Sequence, residues 1–398
     1  MSDWKTVRIS EFCRTGTGGT PSRSNLERYY EGGTIPWVKS GELRETVIKK
    51  TDEHVTEAAL RETNVKLVPA GALLLAMYGA TVGRLGILGV EATTNQAVCH
   101  IIPDPDAAEV RFLFYALSNQ VSNLIARGVG GAQPNISQGI VKDLVLALPP
   151  IAEQRRIAEV LDRAEALRAK RRTALAQLDS LTQSLFLDLF GDTVSKGWAM
   201  TDIAGVARPV AGSIRTGPFG SQLLHSEFTD CGIAVLGIDN AVANEFRWSE
   251  RRFISEAKYR QLKRYTVHPG DVLITIMGTC GRCAVVPDDI PPAINTKHLC
   301  CITLDLTKCL PVFLHAYFLQ HPIAQKYLTQ TAKGAIMSGL NMGLIKGMPM
   351  PLPPIDLQRE FARRVGAVEK LKTAQRASLA ELDALFASFQ HRAFRGEL

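Results

Sequence analysis

The chain has 398 residues, 46% of them apolar, with 46 lysines and arginines against 39 acids for a formal net charge of +7. That length and polarity suit two or three globular domains with real cores. No run approaches 18 consecutive apolar residues, which argues against a transmembrane span. The opening Met1-Ser-Asp-Trp-Lys-Thr also lacks the apolar stretch of a secretory leader, so a cytoplasmic protein is expected.

Residues 1–147 read as mixed α/β. Strand-sized apolar runs occur at 65–68, 73–77 and 86–90, with Gly71, Gly79 and Gly83 as turn markers. Residues 110–125 carry helical spacing through Phe112, Tyr115, Ala116, Asn119 and Asn123. Leu148-Pro-Pro-Ile151 then fixes an extended exit, and residues 151–190 contain neither proline nor glycine. This predicts a rod of about 60 Å at 1.5 Å per residue. From residue 198 the plan repeats: 267–276 matches 68–77, 312–327 matches the first helix, and a second Leu352-Pro-Pro-Ile355 opens a second rod.

The repetition is literal. Leu148, Pro149, Pro150, Ile151, Gln154, Arg155 and Ala158 return, shifted by 204 positions, as Leu352, Pro353, Pro354, Ile355, Gln358, Arg359 and Ala362. The same shift links Leu167 to Leu371, Leu181 to Leu385 and Phe190 to Phe394. A period this long exceeds that of any solenoid and signals two copies of a whole domain. The expected organisation is a first domain at 1–150, a helix at 151–192, a second domain at 193–354 and a helix at 355–398.

Heptad positions run through Ile157, Ala164, Arg171, Leu178 and Leu185 and through Val160, Leu167, Ala174 and Leu181. The second rod gives Phe361, Val368, Gln375, Leu382 and Phe389 with Arg364, Leu371, Ser378 and Leu385. Two readings are open: an antiparallel coiled coil between the rods, or each helix packed on its own domain. In the antiparallel case the series midpoints, Arg171 and Gln375, are expected to meet. A nearly two-fold object with two separated heads suits duplex DNA.

The charge is unevenly spread. Residues 1–150 and 151–192 are each neutral overall, 193–354 carry a net +5 and 355–398 a net +2. That is mild for a protein gripping phosphates, and another subunit supplying part of the grip would explain it.

Signs of catalysis are scarce. No phosphate-binding Gly-x4-Gly-Lys-Ser/Thr loop is present; Gly16-Thr-Gly-Gly-Thr20 and Gly128-Val-Gly-Gly-Ala132 lack the lysine. The Asn/Asp-Pro-Pro-aromatic turn of amino-methyltransferases is absent, because the Pro-Pro pairs follow Leu148, Ile290 and Leu352. The eight cysteines are scattered and mostly lie within apolar runs. Cys280-x2-Cys283 with Cys300-Cys301 leaves a zinc site and buried thiols both open.

Several motifs together resemble a known family. The first half holds Gly18-Gly-Thr-Pro-Ser-Arg23, Gly33-Thr-Ile-Pro-Trp-Val-Lys-Ser-Gly-Glu-Leu43, Gly79-Ala-Thr-Val-Gly-Arg84 and Thr94-Asn-Gln96. The second holds Arg215-Thr-Gly-Pro-Phe-Gly-Ser221, Gly278-Thr-Cys-Gly-Arg282 and Asn295-Thr-Lys297. With the duplicated helix openings, the chain resembles the specificity (S) subunit of type I restriction-modification systems over essentially its whole length. One departure is Ile233-Ala-Val-Leu-Gly-Ile-Asp-Asn240, which stands where Ile-Pro-Trp-Val is missing.

The resemblance implies two tandem mixed α/β target-recognition domains, separated and followed by long helices that form an antiparallel coiled coil. It implies a non-catalytic, cytoplasmic protein of a bacterium or archaeon that reads a bipartite double-stranded DNA target across an unread spacer. Its partners would be methyltransferase (M) subunits, two of them, and restriction/translocase (R) subunits. S-adenosylmethionine, ATP and Mg would belong to those partners, and this chain would hold no cofactor and no metal. The alternatives are a self-sufficient DNA methyltransferase or nuclease, and a coiled-coil scaffold that does not bind DNA.

Guanidinium, ammonium, amide and hydroxyl groups are the expected readers of bases and phosphates. The DNA-contact candidates in the first half are Arg14, Arg23, Lys39, Ser40, Arg44, Arg84, Gln96 and Gln133. In the second they are Arg215, Ser221, Asn240, Arg247, Lys258, Arg282, Lys297 and Lys333. Arg84 and Arg282 occupy matching places after a strand. Trp37 is expected in the core rather than stacked on DNA. Gln154, Arg155, Gln358 and Arg359, duplicated at the helix starts, suit a repeated partner-docking site.

Overall fold

A computed structural model describes residues 4–44, 46–128, 135–192, 196–332 and 340–398. The candidates Gln133 and Lys333, and most of the glycine run at 128–132, lie outside the described residues. The chain forms two compact units, Met1–Arg172 with Ala377–Leu398, and Thr173–Arg376. The boundaries therefore fall inside the long helices Ile151–Phe190 and Ile355–Ala393 rather than at their ends.

In the first unit a five-stranded sheet runs in the order Cys13–Thr17, Val98–Pro103, Leu73–Ala76, Leu85–Leu88, Val47–Ile48. A four-stranded sheet follows the order Glu53–Val55, Ile35–Val38, Ala92–Thr94, Leu67–Val68, and here Ile35–Val38 and Ala92–Thr94 are parallel. Strands Lys5–Arg8 and Val145–Leu148 pair antiparallel and tie the start of the unit to the helix entrance. The second unit repeats the scheme. Its four-stranded sheet runs Ile214–Thr216, Leu299–Ile302, Val272–Thr275, Cys283–Val285. Its five-stranded sheet contains the parallel pair Ile233–Leu236 and Ala293–Asn295. The central strands are buried on both faces, which is why they read as continuous apolar runs.

Helix Val110–Ala126 starts where the Glu109 carboxylate accepts the Phe112 N–H at 2.7 Å. Its counterpart is broken. The expected helix over 312–327 is two helices, Pro311–Gln320 and Pro322–Ala332. His321 between them is extended (φ −73°, ψ 133°), since the residue before a proline avoids helical geometry.

Both long helices start as the double prolines require. Pro150 O accepts the Gln154 N–H at 3.0 Å, and Pro354 O accepts that of Gln358 at 3.3 Å. Within the first unit, Ile157, Ala158 and Leu161 join the domain core together with Ala393, and Phe386, Phe389 and Phe394 pack alongside. Within the second, Phe186 and Phe190 are buried with Phe361. Each unit thus packs the start of one long helix and the end of the other.

The pairing is antiparallel in each unit. In the first, Arg156 reaches Leu398 O and Arg168 reaches Asp383. In the second, Lys372 contacts Asp179 at 2.8 Å, and the Phe186 and Phe361 rings lie 5.6 Å apart. Packing on the unit's own domain and antiparallel helix pairing therefore coexist. The seam is narrower than the heptads predict. Leu167, Leu371, Leu181 and Leu385 are 50%, 54%, 43% and 45% exposed, so the second heptad series faces outward. None of the described helices is long and apolar enough to cross a membrane.

Candidate nucleic-acid interface

The carboxyl ends of the parallel strand pairs organise one end of each unit. Asn95 N–H donates to Val38 O at 2.9 Å, and Thr296 N–H donates to Leu236 O at 2.9 Å. Val98 N–H then closes on Asn95 O and Leu299 N–H on Thr296 O, both at 3.1 Å. These matched bonds make Asn95 equivalent to Thr296, and Gln96 to Lys297. The neighbouring hairpins end at the same place. Ala76 N–H meets Arg84 O, and Thr275 N–H meets Arg282 O, each at 2.9 Å. The glycines before the arginines, Gly83 (φ 83°) and Gly281 (φ 77°), supply the left-handed turn.

The match also explains the departure in the second half. Ile35-Pro-Trp-Val-Lys-Ser-Gly-Glu42 and Ile233-Ala-Val-Leu-Gly-Ile-Asp-Asn240 are the same structural piece. Glu42 Oε2 accepts the Lys39 N–H at 2.7 Å, and Asn240 Oδ1 accepts the Gly237 N–H at 2.8 Å. Trp37 is buried in a small core with Val55, Ala59 and Val65, and its Nε1 donates to Gly19 O at 3.1 Å.

In the first unit this end gathers Arg23, Lys39, Ser40, Arg44, Arg84 and Gln96. Glu53 holds Lys39 at 2.7 Å and Arg23 at 2.6 Å. The Lys39 hydrogen bond, followed by that of Arg23 and outweighing burial, keeps the Glu53 carboxyl below its usual range. Arg44 and Arg84 are exposed and form no salt bridge among the described residues. Arg14 stands apart: its strand position opposite Ile102 puts it at the other end of the sheet, beside Asp104.

In the second unit the same end gathers Ser221, Arg247, Arg282 and Lys297. Arg247 is held by Glu245. Three other candidates are corrected. Arg215 is buried and donates to Asp271 (2.7 Å), Thr303 Oγ1 (2.9 Å) and Thr266 O (2.5 Å), so it braces the core. Asn240 is 3% exposed, with its amide spent on its own turn. The Lys258 side chain is 14% exposed and paired with Glu227 at 2.7 Å.

Gln154 and Gln358 are corrected too. Both are fully buried and cannot meet a partner. Gln154 accepts the Glu109 N–H (2.8 Å) and donates to Ala107 O and Pro149 O (2.9 and 2.8 Å). Gln358 does the same with Leu310 N–H, Lys308 O and Pro353 O (2.9, 2.9 and 3.0 Å). Each latches its helix to its own domain. Arg155 and Arg359 beside them are exposed.

The cysteines form no disulfides, and no cluster that could hold a metal occurs among the described residues. Cys283, Cys300 and Cys301 are buried in the sheet; burial pushes the Cys300 thiol up to about 12.

Sequence reading missed Asn95, Thr296, Arg252 and His298. Asn95 and Thr296 stand inside the Thr94-Asn-Gln96 and Asn295-Thr-Lys297 motifs, while Arg252 and His298 have no matching residue type in the first half. Asn95 Oδ1, Thr296 Oγ1 and Arg252 Nε are buried atoms without hydrogen-bond partners. In the second unit they border a cleft of about 390 Å³ whose walls include His225, Phe228, Asp239, Lys297 and His298.

Residues 1–178 match the family described as type I restriction modification DNA specificity domain. The specificity subunit of the type I restriction enzyme EcoBI from Escherichia coli is 29% identical over 77% of this chain and 69% of its own length. The chain is similar to type I specificity subunits over most of its length. The EcoKI specificity subunit of Escherichia coli is 24% identical across 99% of this chain and 89% of that protein. The MjaVIII specificity subunit of Methanocaldococcus jannaschii is 22% identical over 96% and 89%. Among solved structures, the type I S subunit from M. genitalium overlays with a TM-score of 0.59 at 15% identity, covering 98% of this chain and 96% of that one. A structure described as the basis of complex assembly and conformational transition of the type I R-M system gives 0.60 at 19%, covering 99% and 98%. These two likenesses support the fold. Specificity subunits recognise DNA sequence, and the doubled sheet end is this chain's candidate for that task.

Proposed function

We propose that the chain reads a bipartite DNA target, each unit addressing one half through its strand-exit end. The observation that carries this is the repetition of that end with an exposed arginine that forms no salt bridge among the described residues, Arg84 in one copy and Arg282 in the other. Free cations on a rigid scaffold supply phosphate attraction and guanine recognition. The long helices set the spacing between halves, since B-DNA couples distance to rotation. Arg171 and Gln375, midpoints of the heptad series, are proposed to meet and fix the register of the rods.

The same reading assigns the chemistry elsewhere. Two methyltransferase subunits dock on the helices, restriction/translocase subunits join them, and S-adenosylmethionine, ATP and Mg belong to those partners. The duplicated outward leucines, Leu167 with Leu371 and Leu181 with Leu385, support docking of a partner present twice. Arg155 and Arg359 lie exposed in the first turns of the same helices.

Mapping methylated adenines in a host that expresses the chain with its partners tests the proposal. Replacing residues 1–150 with the matching part of a subunit of different specificity should change one half of the methylated sequence only. Alteration of both halves, or of neither, would reject it.

A further inference from the structure

The two strand-exit ends differ in charge at equivalent positions. In the first unit Glu53 pairs with Trp37 across the strands, and in the second Arg252 O accepts the Val235 N–H at the matching place. An acid in one copy is therefore an arginine in the other. Lys39 is likewise replaced by Gly237. A Cβ on Gly237 would stand 2.5 Å from Arg252 Nη2 and 2.6 Å from Asp239 Oδ1, so the glycine makes room for that ion pair. Asp239 takes only the Nη2 end of the guanidinium. Arg252 Nε remains a buried donor without a partner, and the Thr296 hydroxyl beside it has none either. Lys297 lines the same cleft and forms no salt bridge among the described residues. The His298 imidazole on the same wall is pushed down by burial first and then by Lys297 and Arg252, while the Asp239 carboxylate is engaged by Arg252 Nη2.

We propose that the cleft between Arg252, Thr296 and Lys297 is a phosphate site of the second unit that has no counterpart in the first. Three donors with spare hydrogen-bonding capacity suit a tetrahedral oxyanion, and an ammonium strengthens the contact electrostatically. In the first unit Glu53, Asn95 and Gln96 occupy the three positions; none is a cation, and Glu53 is already engaged by Lys39 and Arg23. The proposal rests on the DNA-reading function and deepens it. The phosphate is that of the DNA backbone, so the two half-sites contribute unequally to salt-dependent affinity.

The test uses the full chain assembled with its methyltransferase partners, titrated with the cognate duplex and with a duplex scrambled in the second half-site, across a range of salt. Lys297→Met should reduce the slope of log affinity against log salt by about one and weaken both duplexes alike. Gln96→Met, at the equivalent place, removes no charge, so any loss of affinity there should come without a change of slope. Thr296→Val keeps side-chain shape and removes a hydroxyl that lacks a partner, so it should weaken both duplexes several-fold without lowering the melting temperature. An unchanged slope for Lys297→Met, or a loss confined to the cognate duplex, overturns the proposal. So does inorganic phosphate shielding Lys297 from acylation when duplex DNA does not, which would make the cleft a free-anion site. If the wild-type complex shows no salt-dependent duplex binding, the DNA-reading function itself fails; if it binds and only the Lys297→Met slope is unmoved, the cleft assignment alone fails.

Discussion

Arg168 donates its Nε to Asp383 at 2.6 Å, joining the two long helices within the first unit. The same guanidinium pairs with Glu165 and lies 4.4 Å from the centre of the Phe386 ring. Its side chain is 17% exposed, so the contact is partly shielded from water. Arg168→Ala should lower unfolding stability by about 1–2 kcal/mol, more than the sub-kilocalorie effect of an exposed pair. Urea denaturation of Arg168→Ala, Asp383→Ala and the double variant measures the coupling. A coupling indistinguishable from zero would reduce the contact to a surface ornament.

The buried carboxamides make a sharper case. Gln154→Leu would leave the Glu109 N–H and two carbonyls without partners, as Gln358→Leu would for Leu310 N–H and its carbonyls. Each substitution should cost about 1–3 kcal/mol and speed amide exchange in the first turn of the helix it opens. Unaltered exchange there would remove the latch from the account.

His321 introduces a pH dependence. Its Nδ1 accepts the Ile323 N–H at 3.2 Å and its Nε2 donates to Phe190 O at 3.1 Å, an arrangement that holds only for the neutral ring. Burial pushes this imidazole below its ordinary value. The unfolded ring takes a proton near pH 6.5 while the folded one resists, so acid favours the unfolded chain. The stabilisation is complete above about pH 6.5 and is lost as pH falls below it. His315, held between Asn244 O and Cys283 O, shifts in the same direction. Melting temperatures should drop on acidification, and less steeply for His321→Gln. Parallel curves for the two proteins would exclude His321 as a contributor.

The helix pair as a ruler predicts a change of spacing without a change of letters. Inserting or deleting one helical turn between Leu161 and Leu185 should alter the spacer in the methylated sequence and leave both half-sites as they were. Altered half-sites with an unchanged spacer would refute it.

Much of the architecture was legible because the strongest local rules act where they should. The double prolines at 149–150 and 353–354 set both helix starts, and 151–190 proved helical throughout. The hairpins ending at Arg84 and Arg282 were visible as duplicated Gly-Arg turns. Pro322 was misread because apolar spacing on either side of it imitates one helix. Leu167 and Leu181 fit the heptads but face outward, since periodicity finds an apolar stripe without saying what covers it.

The candidate site was less legible for a related reason. Arg215 looks like a DNA reader by type, yet its carboxylate, Asp271, lies 56 residues away and only the sheet brings them together. Gln154 and Gln358 repeat because the same internal joint is built twice, and repetition alone cannot distinguish a joint from a docking point. Thr296 and Arg252 have no matching residue types in the first half, so only strand register reveals them.

The first unit needs residues 377–398 as well as 1–172, because Ala393 is buried in its core and the Phe394 ring packs, tilted, 5.6 Å from that of Phe112. During synthesis the earlier-made head must therefore wait, incomplete, until residues 377–398 have left the ribosome. The second head, whose pieces are contiguous, can close first.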